Sequence, residues 1–117
     1  MEREHIIKQY DAELNEIRDL LLQMGGKVEV MISNSIKALV DRDSELADHT
    51  IISDHEVNHL EVVTDEKCLE VLARRQPAAR DLRFLTLALK IVTDLERIGD
   101  QCVSVCNRVR ELNEEPP

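Results

Sequence analysis

Two acidic pairs with the same spacing are the first residues that could do chemistry. Glu61-Val-Val-Thr-Asp65 and Glu96-Arg-Ile-Gly-Asp100 each set two carboxylates one helical turn apart. Such pairs offer hard oxygen donors on one face, a set that suits Mg²⁺, Mn²⁺, iron or Ca²⁺ better than a thiolate-rich zinc site would. One pair on a charged helix carries little information. Two pairs become informative when the elements that bear them turn both toward a shared groove. Asp54 and Asn58 lie upstream of Glu61 at helical intervals and extend the same line of polar groups.

A second motif competes for attention. His55-Glu-Val-Asn-His59 reads H-E-x-x-H, the zinc peptidase signature. On a helical wheel at about 100° per residue, both histidines fall more than about 100° from Glu61, on the polar side. A peptidase also needs a third ligand and a substrate cleft, so exposed histidines are the expected outcome. Cys102 and Cys106 are one turn apart near an apolar stripe and read as small buried side chains. Arg74, Arg75, Arg80 and Arg83 gather around a chain break, where they can complement nearby acids.

The elements that must carry these residues are three helices in an all-α, antiparallel, up-down-up bundle. The first is expected over roughly residues 3–41, with Tyr10, Leu14, Ile17, Leu21, Met24, Val28 and Met31 alternating spacings of four and three. Because that seam stays in phase across Gly25-Gly26, the helix is expected to continue through them. Asp41-Arg-Asp-Ser44 then makes a turn in which Asp43 or Ser44 caps the second helix. That helix runs to about Arg75, and Pro77 is expected in the first turn of the third. Helix three presents Leu82, Leu85, Ala88, Leu89, Val92, Leu95, Val103 and Cys106 as one stripe. The bundle occupies residues 1–112 and Asn113–Pro117 reads as a linker-like tail.

On these wheels Glu96 falls inside the apolar stripe, within about 40° of Leu89, Val92 and Val103, with Asp100 at its edge. Lys90, Asp94, Arg97, Gln101 and Arg108 mark the solvent side. Measured from Glu61, Val57, Cys68 and Leu72 fall within about 40°, as do Asp54 and Asp65, with Asn58 slightly farther round. Antiparallel neighbours can therefore bring the two pairs together. Clustered carboxylates do not all stay ionised without compensation. Arginines, protons or a multivalent cation can each supply it.

Composition narrows the classes of function. Fifteen basic and 24 acidic residues give a net charge of −9, and aromatics make up 2% of 117 residues. An acidic, aromatic-poor chain is a poor binder of nucleic acid, which needs cationic and stacking surfaces. No run approaches the about 20 apolar residues of a membrane helix, and the start of the chain carries no signal-peptide pattern. Three cysteines, an odd number, are expected to be reduced thiols of a cytoplasmic protein.

The chain resembles the PhoU family of phosphate-signalling regulators over nearly its whole length. The resemblance rests on Tyr10-Asp-Ala-Glu-Leu14, Met24-Gly-Gly26, Arg75-Gln-Pro-Ala-Ala-Arg-Asp-Leu-Arg83 and, most distinctively, Asp94-Leu-Glu-Arg-Ile-Gly-Asp100. It implies a three-helix bundle that forms one of two similar halves. It also implies iron or other metal ions (Mn, Mg or Zn) held by Glu61, Asp65, Glu96 and Asp100, with Asp54 and Asn58 in the same lane. The implied function is repression of the phosphate-starvation response by an adaptor, not an enzyme. Its implied partners are a phosphate ABC transporter ATPase and a sensor histidine kinase at the inner face of the membrane. With one bundle here, the expectation is half of a working protein, completed by a second bundle or by self-association. The rival expectation is a metal-free helical interaction module in which the acids only pair with arginines.

Overall fold

A computed structural model describes residues 1–116 as three long helices, α1 (Glu2–Asp41), α2 (Ser44–Arg74) and α3 (Ala79–Asn113). They lie up-down-up in a rod of 69 × 20 × 17 Å. At about 1.5 Å per residue, the 40 residues of α1 alone account for most of the long axis. No helix among the described residues is long and apolar enough to cross a membrane.

The seam expected in α1 is its buried face. Ile17, Met24, Val28 and Met31 are all nearly inaccessible, while Tyr10, Leu14 and Leu21 flank them. Gly25-Gly26 does not interrupt the helix. Three apolar clusters stack along the rod. Ile17, Cys68, Val71, Leu85 and Ala88 fill the end near residues 75–78. Met24, Val28, Met31, Val57, Leu60, Val92 and Cys102 fill the middle. Ala38, Ala47, Cys106 and Val109, all small, let the helices close at the other end.

Buried hydroxyls are satisfied within their own helices. Thr50 and Thr64 donate to the carbonyls of Leu46 (2.8 Å) and Leu60 (2.6 Å), and Ser35 donates to that of Ile32. All three cysteines are free and buried.

The α1–α2 turn works through one unusual backbone. Arg42 takes a left-handed conformation (φ 55°, ψ 40°) and closes α1 by donating its N–H to the Ala38 carbonyl. Asp43 then caps α2, its Oδ1 accepting from Leu46 N at 3.0 Å. The end of α3 docks here. Arg42 donates to the carbonyls of Leu112 and Glu115, and Asn113 Nδ2 donates to the Arg42 carbonyl and to Ser44 Oγ. Asn113 and the Glu115 carbonyl are thus hydrogen-bonded to the α1–α2 turn; Pro117 lies outside the described residues.

Two expectations need correction. Pro77 precedes α3, which starts at Ala79 with Ala78 extended as its N-cap. Crossing from α2 to α3 takes the extended stretch 76–78, because helix axes about 8–10 Å apart cannot be bridged by a continuing helical turn. Leu82, placed in the α3 stripe, is exposed. The stripe closes over the core only from Leu85 onward.

Candidate metal centre between α2 and α3

Packing against α1 turns one flank of α2 toward α3, and that flank carries the acids. Asp54, Glu61 and Asp65 are half-buried, as is Glu96 on α3; Asp100 and Asn58 are exposed. The wheel reading of α3 holds, with Lys90, Asp94, Arg97, Gln101 and Arg108 all on its exposed side.

Electrostatic coupling shows which acids face one another. Glu96 is pushed up to about 7, first by its hydrogen bond with Asp100 and then by burial and the charges of Asp100, Glu61 and Asp54. Glu61 is raised by burial and by Asp65, Asp100 and Asp54. Asp54 is raised by burial and by Asp100, with a partial offset from its hydrogen bond to Asn58. Asp65 is raised by burial alone. The focus is therefore Asp54, Glu61, Glu96 and Asp100. Asp65 acts on Glu61 through its charge, and Asn58 touches the group only through a long 3.4 Å bond to Asp54 Oδ2.

Apart from the charge of His55, which partly lowers Asp54, the cluster lacks basic compensation among the described residues. Among the described residues no lysine or arginine forms an ion pair with Asp54, Glu61, Asp65, Glu96 or Asp100. Asp54 Oδ1 is buried without any hydrogen-bond partner. Such an atom forfeits about 1–3 kcal/mol, more when charged, unless something binds it. The atom rests over Gly99, where a Cβ would come within 2.9 Å of Asp54 Oδ1 and 3.6 Å of Val57 Cγ1. A glycine inside a helix costs about 1 kcal/mol relative to alanine; here its absent side chain is what seats the Asp54 carboxylate.

The side chains as placed do not form a finished cage. Among the described residues no three His, Cys, Asp or Glu groups converge closely enough to enclose an ion. Three features nonetheless suit a cation: an orphaned carboxylate oxygen, a glycine cradle beneath it, and acids whose proton affinity is raised by burial and by one another's charge. The donors are oxygens only. The nearby thiols are a poor alternative, since burial pushes Cys68 up to about 11 and also raises Cys102.

Wheels drawn one helix at a time ranked Asp54 below the repeated pairs and gave Gly99 no role. The available signal was a lone glycine within an unbroken helical pattern, which calls for a packing reason.

The arginines near the break divide. Arg75 pairs with Glu13 through Nε (3.1 Å) and Nη2, and Arg74 pairs with Glu70 at 2.8 Å. Arg80 and Arg83 are exposed beside a hollow that Arg18 and Phe84 also line. None of the four reaches the acids. His55 and His59 are exposed, as their wheel positions predict, and Glu56 of the same motif is held by Lys27.

Comparison with known proteins agrees with this architecture. The PhoU domain family profile matches residues 21–109. The phosphate-specific transport system accessory protein PhoU homolog of Pseudomonas aeruginosa is 47% identical over 111 residues, covering 95% of this chain and 46% of that protein. The phosphate-specific transport system accessory protein PhoU of Escherichia coli K12 is 43% identical over 107 residues, covering 92% and 44%. The crystal structure of PhoU from Pseudomonas aeruginosa superposes with a TM-score of 0.88 at 46% identity, covering 90% of this chain and 50% of that one. The chain thus spans about half the length of the curated relatives it matches. With the matched profile covering most of the three helices, the chain belongs to the PhoU family.

Proposed function

We propose that this bundle is a metal-binding, non-catalytic regulatory module of a phosphate transport system. Its relatives are named as accessory proteins of that system. The observation that carries the metal reading is the uncompensated acid lane with Asp54 Oδ1 unpaired above Gly99. Asp54, Glu61, Glu96 and Asp100 would hold the ion, with Asp65 the nearest additional donor. Iron, Mn²⁺ or Mg²⁺ fits an all-oxygen set best, and Zn²⁺ is the softer alternative.

A bound ion would supply positive charge to the lane and nothing further. Its effect on this chain is to offset the mutual repulsion that raises the proton affinity of Glu96, Glu61 and Asp54, and to set how closely α2 and α3 pack. The rod's surface would then serve as a docking face for a phosphate ABC transporter ATPase and a sensor histidine kinase. In that role the protein restrains the phosphate-starvation response from the cytoplasmic side of the membrane.

The test is elemental analysis and thermal melting of the purified chain and of an E61Q/E96Q variant. Substantial metal in the parent, lost in the variant, together with chelator-induced destabilisation of the parent alone, supports the reading. Equal metal content in both proteins, or a melt insensitive to chelator, favours the metal-free interaction module instead.

A further inference from the structure

The H-E-x-x-H segment remains unused by the carboxylate site. His55 and His59 stand one turn apart on the unbroken α2 helix, and both are exposed. Residues at this spacing have Cβ atoms about 5–6 Å apart. That separation lets two imidazoles reach one ion, as the helical His-x-x-x-His half of zinc sites does. Neither ring makes a hydrogen bond or ion pair with another described side chain. Both line one hollow of about 410 Å³ with Gln23, Lys27, Glu56 and Leu60, ample for an ion that keeps part of its water shell.

We propose that His55 and His59 form a second cation site, a two-nitrogen chelate on the α1–α2 flank for imidazole-preferring ions: Cu²⁺, Ni²⁺ or Zn²⁺. Two features fix its character. Glu56 is engaged by Lys27, which draws that carboxylate toward α1 and holds it below the usual carboxylate range. The site therefore has two protein donors, with water in the remaining positions, and Glu56 is not a free base for hydrolysis. Neutral nitrogen donors also select differently from the acid lane, so the ion order is Cu²⁺ over Ni²⁺ and Zn²⁺, with Mg²⁺ and Ca²⁺ not bound. The proposal does not depend on the carboxylate site being occupied.

The experiment is a titration of the chain with Ni²⁺, followed by calorimetry and by paramagnetic broadening of the histidine ring signals in NMR. The same titration is run on H55Q, H59Q and E61Q/E96Q variants. The expected result is early, joint broadening of His55 and His59, ahead of His5 and His49. Each single histidine variant should bind Ni²⁺ more weakly by on the order of ten- to a hundred-fold, because the second imidazole acts at high effective concentration. The E61Q/E96Q variant should keep this Ni²⁺ binding, which separates the outcome from that of the acid lane. Broadening that begins at His5 or His49, or an H59Q affinity within about two-fold of the parent, would overturn the proposal. Exposed positions on a helix tolerate substitution, and an unchanged melting temperature for H55Q and H59Q in chelator confirms that folding is not the cause.

Discussion

The two flanks of α2 carry acids and treat them in opposite ways. On the α1 side, negative charge meets positive charge: Lys27 with Glu56, Lys67 with Glu16 at 3.3 Å, and Arg75 with Glu13. On the α3 side, Asp54, Glu61, Glu96 and Asp100 meet one another, and the proton affinities of Asp54, Glu61 and Glu96 rise. The supply of cations does not explain the difference, because Arg97 and Lys90 sit on α3 near the lane in sequence yet face solvent. A seam meant only to hold two helices together would resemble the α1 flank. The α3 flank has no such lysine or arginine pairs among the described residues, and on that difference the proposed cation site rests.

That contrast can be broken in four ways. The largest effect concerns added cation. A metal that binds only the folded lane stabilises it by about 2.7 kcal/mol at a hundredfold excess over its dissociation constant. Melting curves with and without Mn²⁺ should show this shift in the parent and not in E61Q/E96Q.

Acidity comes next. Folding raises the affinity of Glu96 for its proton, from 4.5 to about 7, so the folded state binds more protons across that window. The stability this group contributes is present below about pH 4.5 and lost as pH rises toward about 7. In chelator, the melting temperatures of the parent and E96Q should diverge over this interval, with the variant ahead at pH 8. Parallel curves from pH 4 to 8 would show that the lane is not strained by its own charge.

Glycines give the third comparison. Nothing lies within 4 Å of a Cβ built at Gly26, so G26A should stabilise α1 by about 1 kcal/mol in urea unfolding. At Gly99 the same gain is opposed by contact with Asp54, so G99A should fall at least about 1 kcal/mol short of G26A. It should also weaken Mn²⁺ binding, which G26A should leave unchanged.

The smallest effects belong to the compensated flank. Replacing Arg75 by Met strands a half-buried Glu13 and should cost about 1–2 kcal/mol. Replacing Lys67 by Met, at a more exposed pair, should cost about 0.5 kcal/mol or less and vanish in salt. Denaturant midpoints at low and high ionic strength distinguish the two.

Much of this arrangement is legible in the sequence because it is periodic. The α1 seam appears letter by letter and becomes the burial pattern of Ile17, Met24, Val28 and Met31. Asp43 as a cap follows from local hydrogen bonding, since its partner Leu46 is three residues away. The general position of the acids follows from the wheel angle. What a wheel omits is the distance of one helix from another. The prominence of Asp54 over Asp65, the cradle at Gly99 and the exposure of Leu82 all depend on where α3 crosses α2. The clasp of Asn113 on Arg42 spans 71 positions in the chain, and nothing local to either residue announces it. The start of α3 moved for a similar reason, since its first turn must wait until the chain has crossed to the next axis.

Gly99 and Asp54 also bear on how this sequence can drift. The two positions constrain each other: a side chain at 99 would bring its Cβ within 2.9 Å of Asp54 Oδ1, so that carboxylate would have to shift. The two form a single heritable unit spread over two helices. Descendants that lose the cradle should shorten or neutralise position 54, and those that keep the aspartate should keep the glycine. A paired swap, G99A with D54A, should regain the alanine's helix gain and remove the unpaired carboxylate oxygen together with the contact it makes at position 99.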